Sequence, residues 1–207
     1  MPSWWLEDAD SIANENPYTF YKTPRELIEK ISPGETVKLI FQFESDDPEA
    51  PRAERMWVIV KEVMGNGIFK GVLDNEPYHI KDLKIGDHIE FSACNIINSD
   101  HDDNNNLVER YLKRCFVTKK ILDDGYRVGY LYREEPDNEK DSGWRITSNT
   151  ETDEYMDNSE NIAFVSLGLV LNKDDSFIRL LDSPAGSAYV RNSVSGEFEE
   201  VNYENEG

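Results

Sequence analysis

Apolar residues along this 207-residue chain recur mainly at every second position, in short runs separated by turn residues. VKLIFQF (37–43) puts Val37, Leu39, Phe41 and Phe43 on one side and predicts a half-buried strand. MWVIVKEV (56–63) and IFKGVL (68–73) flank MGNG (64–67). That arrangement predicts a hairpin, because asparagine and glycine accept the positive φ of a tight turn. SDDPEAPRAE (45–54) predicts a loop held open by Pro48 and Pro51. NEPYHI (75–80) predicts a turn and a short strand, and LKIGDHIEFSA (83–93) a turn at Gly86-Asp87 followed by another strand. Helical spacing appears at TPRELIEKI (23–31), where Thr23 is placed to cap, Pro24 suits the first helical position and Glu26 completes a capping-box pattern. Leu27, Ile28 and Ile31 then share one face, and SPGE (32–35) stops the helix. The first 16 residues are polar apart from Trp4, Trp5 and Leu6, and read as a loose tail docked by those three.

The lowest-complexity stretch is NSDHDDNNN (98–106), which marks a domain boundary. After it, YLKRCFVTKKIL (111–122) is the most basic segment and DDG (123–125) ends it. YRVGYLYRE (126–134) alternates and predicts a strand; WRITS (144–148) predicts a short one. The apolar region 161–181 divides into a first element at 162–171, strand or helix, and a short helix near 175–181 that Asp174 or Asp175 would cap. SPAGSAYVRNSVSGEFEEV (183–201) predicts a closing hairpin with Ser195-Gly196 near its turn. The predicted class is α+β: two small domains, each a curled, mostly antiparallel sheet with one or two helices. Their expected bounds are 17–97 and 109–201, with an acidic, asparagine-rich linker at 98–108.

Composition changes the picture at two points. Hydrophobic residues are 38% of the chain, which is low, but aromatics reach 11%, a share that disordered chains lack. No apolar run approaches the roughly 18 residues of a membrane span, and no basic start followed by an apolar run suggests a secretory signal. The expectation is a cytoplasmic protein whose cysteines, Cys94 and Cys115, stay reduced. Charge adds more. The formal net charge is −20, and residues 1–108 and 109–207 carry −11 and −9 of it. Such a field repels nucleic-acid backbones and anionic membranes, and speeds encounter with basic proteins. A surplus of acid that serves only solubility is the plainer alternative.

Candidate chemistry is sparse. His79, His88 and His101 have no zinc-ligand spacing. Asp100, Asp102, Asn104 and Asn106 alternate as at the start of a calcium loop. Asn105 stands where such a loop needs glycine and Tyr111 where it needs glutamate, so the segment reads as solvated linker. No phosphate-binding glycine motif or nucleophile motif is present, so no cofactor and no metal are expected. Trp57, Phe69 and Tyr78 are of a type that stacks on bases. The sole basic cluster, Lys113, Arg114, Lys119 and Lys120, is offset by Asp123 and Asp124, so nucleic acid is not the expected partner. The stretch DSGWRITSNTETDEYMDN (141–158) is dense in acid. Glu151, Asp153, Glu154 and Asp157 suffice in number for a carboxylate-dependent hydrolase, but acids crowded among threonine and asparagine normally face solvent. Aromatic anchors within a charged rim are the anatomy of an interface, which makes Asp141, Trp144, Glu151, Asp153, Glu154 and Tyr155 the candidate partner-binding residues; Trp144 reads equally as ordinary core at a strand start, with the acids standing around a buried ring. The expectation is a non-enzymatic protein-binding molecule, with a general interaction module as the alternative.

Two family resemblances sharpen this. Residues 54–91 hold Met56-Trp57-Val58, a glycine-turn hairpin, Gly71 to Pro77 (G-x-L-x-N-E-P) and Leu83 to Asp87, and resemble an uncharacterised domain of YegJ-like bacterial proteins. Residues 115–199 hold, in order, Val128-Gly129-Tyr130, Tyr132-Arg133-Glu134, Asp141-Ser142-Gly143-Trp144-Arg145, Glu151-Thr152, Glu154-Tyr155, Ser183-Pro184 and Gly186-Ser187. They are similar to the immunity domains of bacterial polymorphic toxin systems. The sequence departs from that pattern at Ser148-Asn149, where a glycine is expected near the turn. The resemblance implies a protein that binds and neutralises a cognate toxin. Many toxin domains are basic because they act on nucleic acids, and an acidic protein meets such a partner quickly.

Overall fold

The computed structural model describes residues 2–45, 49, 51–101 and 103–202. The chain divides into two compact units, Met1–Asn106 and Leu107–Gly207, each α+β and each built on one six-stranded sheet.

The first unit comprises β1 (Trp4–Leu6), α1 (Ala9–Glu15), α2 (Arg25–Ile28), β2 (Thr36–Phe43), β3 (Ala53–Gly65), β4 (Ile68–Leu73), β5 (His88–Ser92) and β6 (Ile96–Ser99). Its strands run in the order β1-β2-β3-β4-β5, with β6 also on β2, and the sheet is curled almost into a barrel. The alternation read from the sequence becomes the core: Val37, Leu39, Phe41 and Phe43 of β2 pack with Met56, Val58 and Val60 of β3, and with Ile28 and Ile31. The β3–β4 hairpin turns at Asn66-Gly67, with φ of 52° and 72°, the paired positive values that match the strands' twist.

Three expectations in this unit change. The supposed loose tail is ordered. Trp4, Trp5 and Leu6 pair with Phe43, Gln42 and Phe41 as an edge strand, Trp4 packs on Phe41 at 5.3 Å, and Asp8 caps α1. The helix at 23–31 is a single turn. Pro24 itself occupies the cap position, no capping box forms, and Thr23 is buried with its N–H on Ile97 O at 3.1 Å. The strand expected within 75–80 is absent. The Glu54 carboxylate accepts the N–H groups of Tyr78, His79 and Ile80, so a side chain replaces the ladder there. Asn75 Oδ1 likewise accepts the Trp57 N–H, which ties the two family motifs together. Of the loop expected at 45–54, residues 46–48 and 50 lie outside the described residues, as does Asp102 of the alternating acids. Residues 98–99 belong to β6, and the Asp100 carboxylate accepts Thr36 N–H at 2.7 Å and Thr36 Oγ1–H at 2.6 Å. The start of the acidic stretch is therefore fastened to the sheet.

The second unit comprises α3 (Leu107–Arg110), β7 (Arg114–Thr118), α4 (Lys119–Leu122), β8 (Tyr130–Arg133), β9 (Asp141–Thr147), α5 (Asp153–Met156), β10 (Ile162–Ser166), α6 (Leu167–Leu171), β11 (Ala188–Arg191) and β12 (Phe198–Val201). The strand order is β10-β7-β9-β8-β11-β12. Every pairing is antiparallel except β7 with β9, which run parallel. The segment 162–171, left open between strand and helix, is both: β10 ends at Ser166, whose hydroxyl accepts the Leu169 N–H at 3.3 Å and starts α6. The helix expected near 175–181 is a 3-10 turn at Ile178–Leu180. Asp174 is buried and serves another purpose. Its carboxylate accepts Val128 N–H (3.1 Å), Ser176 Oγ–H (2.6 Å) and Arg191 Nη2 (2.7 Å), which joins the closing hairpin to the strand region before β8.

Candidate interaction surface of the second unit

β9 lies between β7 and β8, so both of its edges are paired, and residues 141–144 are buried. Trp144 is fully buried, and its indole N–H donates to Leu181 O at 3.3 Å. The Arg133 guanidinium lies 5.8 Å from the Trp144 ring centre. Asp141 is also buried. It accepts both terminal nitrogens of Arg145 (3.1 and 3.0 Å) together with the N–H groups of Gly143 (2.9 Å) and Asp137 (3.1 Å). Burial pushes its pKa up, but the Arg145 guanidinium and the two amides outweigh burial and hold it below the usual carboxylate range. Arg145 also donates to Glu134 at 2.8 Å and lies over Phe116 at 4.8 Å. Asp141 and Trp144, expected at a partner-facing surface, are thus interior. For Trp144 the alternative of ordinary core at a strand start holds, with Leu181 as its hydrogen-bond partner, and Asp141 is drawn inward by the Arg145 pair.

Two glycines of this half mark close backbone approach. Gly143 has φ 82°, and a Cβ there would stand 2.2 Å from Glu134 O. A Cβ on Gly129 would stand 2.1 Å from Ser148 O. Asn149, at the point where the sequence departs from the family pattern, has φ 61°. Asparagine is one of the few side-chain-bearing residues that tolerates this left-handed conformation, so it takes the place of the expected glycine.

Past β9 the acids separate into two kinds. Glu151 is half-buried and occupied. Its carboxylate accepts the Thr118 hydroxyl (2.5 Å), the Ser148 N–H (3.0 Å) and hydroxyl (2.9 Å), and the Thr150 N–H (3.0 Å). Burial raises its pKa, and these donors overcome burial to lower it. Glu151 therefore fastens the 148–151 loop to the end of β7, and both oxygens are already taken. Thr152 then caps α5 by accepting the Tyr155 N–H at 3.2 Å. The cap aims Asp153, Glu154 and Asp157 into solvent, where they enter no ion pair among the described residues. Tyr155 is half-buried, with Lys120 Nζ 5.1 Å from its ring centre; the same ammonium donates to Thr150 O at 2.7 Å. Burial pushes the Tyr155 hydroxyl up, and the negative charges of Asp124, Glu151 and Asp123 add to it. Asp123 and Asp124 thus add to the negative field at Tyr155.

The six sequence candidates thus divide: Asp141 and Trp144 in the interior, Glu151 in the loop clamp, Asp153 and Glu154 on the surface, and Tyr155 between. A groove of about 960 Å³ exists in the first unit, lined by Lys22, Thr23, Ile28, Phe69 and Cys94 among others; no residue of 141–158 lines it. Among the described residues, no group of three histidine, cysteine or carboxylate side chains is placed to hold a metal ion, and no helix is long and apolar enough to cross a membrane.

Two family models match the chain. Residues 115–202 match the immunity protein Imm33 domain, and residues 6–108 match DUF2314, described as an uncharacterised protein conserved in bacteria. No curated protein and no solved structure shows a significant match. The first unit is thus similar to a domain of uncharacterised bacterial proteins, and the second to an immunity-protein domain.

Proposed function

We propose that this chain is a cytoplasmic immunity-type protein that binds and neutralises a cognate, basic toxin protein, without making or breaking a bond itself. The immunity-domain match over 115–202 supports a toxin partner in general. The observation that carries the finer reading is the state of the acids on and around α5. Asp153, Glu154 and Asp157 are exposed and have no counter-ion among the described residues, while every buried carboxylate of the segment is spent on internal donors. Uncompensated charge of one sign on a −20 molecule steers a cationic partner and raises its association rate. A hydrolase reading loses its best residue, because the oxygens of Glu151 are committed to holding a loop.

The test uses the protein encoded by the gene adjacent to this one as the candidate toxin. Co-expression should rescue cells, and association should slow as salt rises. Replacing Asp153, Glu154 and Asp157 together by lysine should lower the association rate by about tenfold or more at low salt, with the fold unchanged. An association rate indifferent to both salt and charge reversal would sink the electrostatic part of this reading.

A further inference from the structure

The acidic ridge leads directly into β10, and β10 is an outer strand of its sheet. It pairs with β7 alone, in unbroken register from Ile162 opposite Thr118 to Ser166 opposite Arg114. Leu167 N–H donates to Lys113 O at 2.8 Å. By the alternation of an antiparallel ladder, Ala163 and Val165 then face β7 with their backbone groups, and the N–H and C=O of Phe164 point away from it. Such unpaired groups template another strand, so proteins normally guard an edge with charge, proline, a bulge or a cover. β10 reads Ile-Ala-Phe-Val-Ser; it has no charge, no proline and no bulge, and all five residues are partly exposed. The opposite edge of the same sheet is guarded, since β12 exposes Glu199 and Glu200.

We propose that β10 is a docking edge. An extended segment of a basic partner protein pairs with the main chain at Phe164, while Asp153, Glu154, Asp157 and Glu160, just ahead of the strand, hold its cationic side chains. This rests on the reading above that the partner is a basic protein. Charge selects the occupant. A second copy pairing here would bring two −20 molecules together, whereas a cationic strand is complementary. Main-chain pairing supplies affinity of the kind used in strand addition, and the acids supply selectivity.

The test compares Phe164→Ala with Phe164→Pro, using the catalytically inactive toxin protein as probe. Both lose the ring, but only proline loses the outward N–H, and an edge position tolerates that loss. Phe164→Pro should bind about tenfold more weakly than Phe164→Ala, the equivalent of one or two main-chain hydrogen bonds. In the wild-type protein, whose folding is not in question, exchange of the Phe164 amide should slow on adding toxin. Equal affinity of the two variants, or unchanged Phe164 exchange in a saturated complex, overturns the docking edge and leaves the toxin reading standing. A wild-type dimer that Phe164→Pro dissolves assigns the edge to a second copy and also overturns it. Absence of any binding by the wild-type protein removes both readings.

Discussion

At the scale of single residues, two carboxylates three positions apart, Glu151 in a loop and Glu154 in α5, have opposite roles, and burial with hydrogen bonding separates them. Glu151→Ala should cost about 2–3 kcal/mol in urea denaturation, since it strands several donors of a charge-assisted cluster. Glu154→Lys should stay within about 0.5 kcal/mol, as exposed positions do. The converse result, a stable Glu151→Ala and an unfolded Glu154→Lys, would reverse the assignment of clamp and surface. Gly143→Ala should lose at least about 2 kcal/mol, because a methyl group meets the Glu134 carbonyl and the backbone is left-handed there. Motif residues such as Gly129, Gly143 and Trp144 were legible as a family signature, and their individual duties were not. A glycine letter does not say which carbonyl lies against it.

At the scale of elements, the period-two pattern carried β2, β3, β4 and β5 of the first unit's six strands and missed the short edge pieces β1 and β6, which have too few residues to alternate. The misreadings have a common cause: a local signal was outweighed by a long-range partner. The 23–31 capping box gave way to a Thr23 N–H that bonds to Ile97 O. The 75–80 strand gave way to Glu54, and the N-terminal tail became a strand because β2 offered it an edge. At 162–171 both readings were right in succession, with Ser166 as the hinge between ladder and helix. The turn that presents the exposed acids depends on one cap. Thr152→Ala should cost about 1 kcal/mol and speed amide exchange over Asp153–Asp157 while leaving β9 exchange unchanged.

At the scale of the molecule, acidity and stability are linked through pH. Glu54, Asp141, Glu151 and Asp174 all have lowered pKa values, because hydrogen bonds outweigh burial, with the charges of Arg145 and Arg191 adding to them at Asp141 and Asp174. Groups of this sign add stability that is fully present above the ordinary carboxylate pKa of about 4 and is lost as pH falls through the lowered values. Urea midpoints should therefore be flat from about pH 7 to 5 and drop steeply below about pH 4. In Asp174→Asn that acid-linked drop should be shallower. Each sheet draws its strands from one unit only, so residues 107–207 expressed alone should show cooperative unfolding and keep toxin binding. Loss of binding by that fragment, if folded, would give the first unit a part in recognition.

The sequence by itself determined the α+β class, the strand-rich character, the family resemblances and the charge, because alternation, turn residues and composition are local or additive properties. Tertiary structure alone decided which acids are free. That distinction depends on which strand is central, which carbonyl faces a glycine, and which donors converge on Glu151 from Thr118, thirty-three residues away. A carboxylate's role is set by its neighbours in space, and one-dimensional spacing does not contain them.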